Sequence, residues 1–189
     1  MATIWYIHGA GASENSFNWL RAQLPSHRAC FLHYSTTDPA SDSINRLVAR
    51  IEREREPVTV IGHSLGGVIA RACAAETRFV DRLVTMCAPF GGIRHAAMMA
   101  MFSPSPLYRD LSEYSPLLID VRRSRLAVPH LAIVASNGLP VSSETNDGVV
   151  TLSSQTAIQG QDYINFGLNH FEVLLSPQVA ETINDFLNT

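Results

Sequence analysis

One serine stands where a nucleophile would stand. The apolar run Val58–Gly62 leads into Gly62-His63-Ser64-Leu65-Gly66, and Leu65–Glu76, rich in alanine and apolar residues, leads out. The G-x-S-x-G spacing alone arises by chance in about one chain in twenty of this length, so the context carries the argument. A sharp strand-to-helix turn holds its serine in strained backbone geometry and exposes Oγ at the carboxyl edge of a sheet. Side chains two residues to either side would crowd that turn, which explains Gly62 and Gly66. The helix start adds unpaired N–H groups and the positive end of the dipole beside the reacting atoms.

A lone serine is a weak nucleophile and needs a base, and the base needs a group to orient it. The chain has no lysine; its 14 basic residues are all arginine. A Ser-Lys dyad, Schiff-base lysine chemistry and an ordinary P-loop are thereby excluded. Histidine remains as the natural base. His95, His130 and His170 lie downstream. His130 directly precedes Leu131-Ala-Ile-Val134 and so opens a strand, whereas sites in open α/β sheets lie at the carboxyl ends of strands. His95 falls in an irregular stretch. His170 follows the strand candidate Tyr163–Phe166 and precedes the last helix. The acid candidates are Asp147, Asp162 and Glu144. Asp162 opens a strand, and Asn146-Asp147-Gly148 is also strong turn chemistry.

The elements that must position these groups alternate along the chain. Strands are expected at Thr3–His8, Ala29–Tyr34, Val58–Gly62, Arg82–Met86, His130–Ser136 and Tyr163–Phe166. Helices are expected at Ser16–Leu24, Asp42–Glu54 (with Asp42 as N-cap), Leu65–Glu76 and Gln178–Leu187. Strands with little polar alternation, separated by helices, indicate a parallel sheet covered on both faces.

Several stretches resemble the α/β-hydrolase superfamily, and within it small bacterial lipases and serine esterases. Gly62–Gly67 matches the G-H-S-x-G-G form of the elbow. His8-Gly9-Ala10 matches an H-G-x oxyanion loop. Asp147-Gly-Val-Val150 and Asn169-His-Phe-Glu-Val-Leu-Leu175 resemble the stretches that carry the acid and the histidine, and Cys87-Ala-Pro-Phe-Gly-Gly92 resembles a T/A-P-x-x-G segment. The resemblance implies the chain order serine, acid, histidine, and so a triad of Ser64, Asp147 and His170. The backbone N–H groups of Leu65 and Ala10 would form the oxyanion hole. It also implies a minimal fold that begins at the usual third strand: a shortened, mostly parallel sheet of about six strands with helices on both faces. Residues 1–189 are expected to form one domain with a small cap-like insertion around residues 90–128. No cofactor and no metal are expected.

Within that insertion, Phe90, Met98, Met99, Met101, Phe102 and Leu107 are candidates for an acyl-binding wall, since flexible methionines suit varied alkyl chains. The other reading is a helix packed on the sheet. Arg122, Arg123 and Arg125 read as a solvated face, with an anionic headgroup as the alternative.

The net charge of −3 and a charged fraction of 16%, against about 25% on average, speak against nucleic-acid binding. Cys30, Cys73 and Cys87 form no metal or disulfide pattern. No apolar run is long enough to span a membrane, and the start of the chain lacks the features of a signal peptide. A cytoplasmic location is expected, a removed leader being the other reading. The expected activity is hydrolysis of carboxylic esters, lipids among them, through an acyl-enzyme on Ser64. An acyltransferase, thioesterase or amidase would use the same site.

Overall fold

The computed structural model describes residues 2–35, 37–93, 105–138 and 144–189. Thr3–Ile7 (β1), Arg28–Phe31 (β2), Val58–His63 (β3), Val80–Met86 (β4), His130–Ala135 (β5) and Tyr163–Phe166 (β6) form one six-stranded sheet in the order β2-β1-β3-β4-β5-β6. Every pairing is parallel. Asn18–Ala22 (α1), Ala40–Glu54 (α2), Leu65–Glu76 (α3), Pro106–Asp110 (α4), Pro116–Arg123 (α5), Leu152–Gln155 (α6) and Pro177–Leu187 (α7) are the described α-helices.

The apolar runs become strands because both sheet faces are covered. In β1, Trp5 and Ile7 join the cluster containing Ile44, Leu47 and Ile51 of α2, most of α3, and Leu118 and Val121 of α5. Ile4 and Tyr6 join the opposite cluster, with Leu20 of α1 and Val179, Ala180 and Ile183 of α7. All six residues of β3 are buried. Helix α3 is nearly all buried, and its glycines and alanines let it lie close on the sheet.

Two helix starts differ from expectation for physical reasons. Helix α2 starts at Ala40 with Pro39 at its N-cap, and Asp42 lies in the first turn. The free N–H of Ala40 is taken by Asp110 Oδ2 at 2.7 Å, an acceptor 70 residues away that no local pattern reveals. The expected helix over Ser16–Leu24 splits into a 3-10 turn, Glu14–Phe17, and the five-residue α1. Helices α5 and α7 begin at proline behind a serine cap, as the first helical position favours. Among the described residues no helix is long and apolar enough to cross a membrane.

Candidate active site

Strand β3 delivers Ser64 to the carboxyl edge of the sheet. Its backbone has φ 55° and ψ −126° and it is the N-cap of α3. This is a sparsely populated conformation for a non-glycine residue, held by the surrounding structure. Ser64 N donates to Met86 O on the neighbouring strand at 2.9 Å. The flanking glycines are required by contact: a Cβ on Gly62 would lie 2.3 Å from Gly66 O, and one on Gly66 would lie 2.1 Å from Ile7 O. Leu65 opens α3, so its N–H has no intrahelical acceptor.

The loop after β1 lies against the elbow, and a Cβ on Gly9 would stand 3.0 Å from Ser64 Cβ. His8 is buried and its Nδ1 donates to Gly9 O at 2.8 Å. Tyr34 stacks on the His8 ring at 4.4 Å between centroids and donates its hydroxyl to His8 O at 2.5 Å. Tyr34 thus braces the loop that carries Ala10, a role with no local sequence signal.

Asp147 and His170 meet across 23 residues. His170 Nδ1 lies 2.6 Å from Asp147 Oδ2, and His170 N donates to Asp147 O at 2.8 Å. Both side chains are buried. The Asn-Asp-Gly turn does two jobs, since Gly148 adopts φ 101° and Asp147 Oδ1 accepts from the N–H groups of Val149 at 2.9 Å and Val150 at 2.7 Å. Burial pushes the Asp147 carboxyl up, but the bond from His170 and these two amides outweigh it and hold it below its usual value. An ionised Asp147 accepts the Nδ1–H of His170, and Nε2 is then the nitrogen left to take a proton from Ser64.

Gln155 completes this corner. It is fully buried at the end of α6. Its Nε2 donates to Asp147 Oδ2 at 3.2 Å, Ala135 O at 3.0 Å and Val150 O at 3.2 Å, while Oε1 accepts from Ala135 N at 2.9 Å. It clamps the acid to the end of β5. It ends a one-turn helix capped by Thr151, and no local sequence pattern marks it.

His63, the second residue of the elbow pattern, is buried under the histidine. Its Nε2 donates to His170 O at 2.8 Å, and the two rings lie 4.7 Å apart. Burial, and then the neighbouring His170, push its pKa down to about 3, so it stays neutral and holds the backbone of His170. Ring nitrogens of His63 and His170 and the thiol of Cys87 come within 4.8 Å of one another. Those rings already bond to His170 O and Asp147, and burial followed by the Asp147 charge keeps the Cys87 thiol protonated. The trio reads as a hydrogen-bonded cluster, not a metal centre.

Ser64 and His170 open onto one cavity of about 210 Å³, with Gly9 and Ala10 on one wall and Ile93, Leu107, Leu111 and Leu174 supplying apolar surface. Among the described residues no hydrogen bond joins Ser64 Oγ to His170, a contact that catalytic sites often tighten only on binding substrate. Leu107 lies on this cavity; Phe90 does not. Phe90 is 1% exposed in the core, edge-on to His130 at 6.4 Å, because the chain turns inward after β4. Met98, Met99, Met101, Phe102 and His95 lie outside the described residues. Asp162 and His130 sit at the amino ends of β6 and β5, and Glu144 bonds to Ser153. None of these three reaches Ser64.

Solved structures with the same fold include a lipase-esterase related protein from Clostridium acetobutylicum (TM-score 0.70, 18% identity, 98% of this chain and 94% of that one). The monoacylglycerol lipase of Paleococcus ferrophilus has TM-score 0.68 and 12% identity, over 98% of this chain and 91% of that one. Phospholipase PlaB of Legionella pneumophila has TM-score 0.75 and 13% identity; all of this chain aligns, but it spans only 60% of PlaB. No curated protein matches the sequence. The family model described as "Alpha/beta hydrolase family" matches residues 2–161, a span that takes in Ser64 and Asp147. The chain therefore belongs to the alpha/beta hydrolase family, with the six parallel strands and covering helices of that fold.

Proposed function

We propose that the protein hydrolyses carboxylic esters through an acyl-enzyme on Ser64. The observation that carries this reading is the buried Asp147–His170 pair at 2.6 Å, whose imidazole opens onto the same apolar cavity as a serine held at an elbow. Ser64 Oγ attacks the ester carbonyl while His170 Nε2 takes its proton. Asp147 holds the imidazole in that tautomer and stabilises the imidazolium. The N–H groups of Leu65 and Ala10 receive the oxyanion, each such donor contributing about 2.7–4 kcal/mol to the transition state. His170 then protonates the leaving alkoxide, and water, deprotonated by His170, releases the acid.

The cavity is lined mainly by apolar side chains, which suits an acyl chain. At about 210 Å³ it is smaller than the roughly 300–1,000 Å³ of sites for drug-sized ligands, which favours short acyl groups. The lipase and lipase-esterase related neighbours of the same fold are consistent with ester chemistry. The test is release of p-nitrophenol from acetyl to decanoyl esters, with a thioester alongside. Activity on the short esters is expected, and Ser64→Ala should abolish both turnover and labelling by a fluorophosphonate. Undiminished hydrolysis by Ser64→Ala would overturn the reading.

A further inference from the structure

Arg123 and Arg125 are exposed, as a solvated face requires, and the surface they share with Arg122 is concave. Together with Arg71 these arginines line a cavity of about 830 Å³ that also takes in His130, Gln161 and Asp162. His130 opens β5 and Asp162 immediately precedes β6. The cavity therefore lies at the amino end of the strands, whereas Ser64, Asp147 and His170 lie beyond carboxyl ends.

Arg71 is the unusual member. Its residue is 3% exposed, and its guanidinium meets only neutral groups: Nε donates to Val121 O at 3.1 Å, Nη2 to Ser124 O at 2.9 Å, and Nη1 faces His130 Nδ1 at 3.2 Å. The two carbonyls come from the end of α5, whose negative dipole end favours a cation. They satisfy the N–H groups without supplying a counter-charge. Burial pushes the pKa of His130 down to about 3, with Arg71 the second cause, so His130 adds no charge. Arg122 donates to two further carbonyls, Phe90 O at 2.9 Å and Glu113 O at 3.0 Å.

Among the described residues none of Arg71, Arg122, Arg123 and Arg125 is in an ion pair, and Asp162 is the one carboxylate on the wall. Four of the chain's 14 cations thus gather in one concavity of a protein whose net charge is −3. Buried charges are ordinarily paired, and guanidinium groups match phosphate oxygens in bidentate geometry. The volume also exceeds the needs of a bare inorganic ion and falls in the range of small-molecule sites.

We propose that this cavity is a second ligand site, distinct from the catalytic edge, that binds an organic phosphate through Arg71, Arg123 and Arg125. The phosphate group is the shared chemistry; a soluble phosphate ester and a phospholipid headgroup both carry it. Calorimetry of the full chain with glycerol 3-phosphate and with phenyl phosphate tests the soluble source. Co-sedimentation with phosphatidic acid vesicles, against phosphatidylcholine vesicles, tests the headgroup. The double variant Arg123→Gln/Arg125→Gln alters exposed side chains and leaves buried Arg71 in place. Its folding is checked by thermal melting and by unchanged p-nitrophenyl ester hydrolysis.

The expected result is sub-millimolar binding of at least one probe, weakened at least tenfold in the double variant, with binding that falls as salt rises. Binding of the soluble probes, of the vesicles or of both supports the site and identifies its source. No binding of any probe at millimolar concentration overturns it, and so does binding that the double variant leaves unchanged. The ester-hydrolysis reading stands or falls separately, on Ser64.

Discussion

Replacing Gln155 with leucine isolates what the buried amide does, because leucine fills a similar volume without a polar atom. The variant loses the acceptor of Ala135 N and the donor shared by Asp147 Oδ2, Ala135 O and Val150 O. An orphaned buried polar group costs about 1–3 kcal/mol. With one donor and parts of three acceptors stranded, a stability loss of about 2–5 kcal/mol is expected, a large share of the roughly 5–15 kcal/mol of a typical fold. The catalytic effect is separate. Gln155 does not line the substrate cavity, so KM should hold. Asp147 loses the clamp that fixes it to β5, and a shift of about 1 Å in a catalytic array can cost about 100-fold in rate. Urea unfolding and p-nitrophenyl acetate kinetics measure the two effects. Gln155→Glu adds a signature that a packing role lacks. Two ionised carboxylates at the present 3.2 Å would repel by about 5 kcal/mol at an effective dielectric constant of about 20, so the pair must share a proton. The introduced carboxyl, when protonated, still donates to Asp147, so activity should survive near neutral pH and fall in alkali, where the wild type does not. A Gln155→Leu enzyme with kcat within twofold of wild type, or a Gln155→Glu enzyme with the wild-type pH profile, would refute the positioning argument.

Asp147→Asn should lower kcat by about four orders of magnitude with little change in KM, as loss of the orienting acid does in other serine triads; steady-state ester kinetics read it directly. Gly66→Ala puts a Cβ 2.1 Å from Ile7 O, and strain of about 1–3 kcal/mol or more should lower the thermal midpoint and activity together. Tyr34→Phe removes the bond to His8 O and should cost about 0.5–1.5 kcal/mol in urea unfolding, with a several-fold fall in kcat if the loop carries the oxyanion donor. Between pH 6.5 and 3 the unfolded chain binds more protons than the folded one at His63 and His130, both pushed down to about 3. Stability should therefore fall as pH drops below 6.5, by about 2 kcal/mol for each histidine at pH 5. Asp147 acts lower: its depressed carboxyl gives stability that is present above its unfolded value and lost as pH falls through its folded one. Urea midpoints at pH 7.5 and 5 that coincide would contradict the histidine argument.

The sheet was legible because its strands are apolar on both faces, and five of the six lie within two residues of their expected bounds at both ends. Val58–His63 and Tyr163–Phe166 carry their own pattern and their own turn signals. The edge strand Arg28–Phe31 is shorter than expected, being exposed or only half-buried. The groups that support the candidate site were not legible. Gln155, Tyr34 and His63 act on residues 8, 26 and 107 positions away, and nothing local marks a glutamine that will bond to a carboxylate. Phe90 misled for the complementary reason: an aromatic next to a strand end suits a substrate wall as well as a core, and only the turn of the chain after Met86 decides it.

The histidines show how direction in the sheet governs chemistry that composition cannot. His130 and His170 are the same side chain, and both neighbour strands of one parallel sheet. His130 stands where β5 begins, so its ring meets Arg71, Thr85 and Gln161, and burial keeps it neutral in a network with no nucleophile in reach. His170 stands beyond the end of β6, where all the strands point, and there it finds Asp147, His63 and the cavity of Ser64. Because the six strands run the same way, every strand-to-helix turn opens on one edge, and the elbow, the oxyanion loop and the acid turn converge there without any one segment encoding the meeting. The opposite edge receives only strand beginnings and helix ends, whose carbonyls draw cations. One parallel sheet thus carries the candidate nucleophile and base on one side and Arg71, Arg122, Arg123 and Arg125 on the other. The two sites lie at opposite ends of the strands, and a substitution at either should leave the other's ligand affinity intact unless it unfolds the sheet between them.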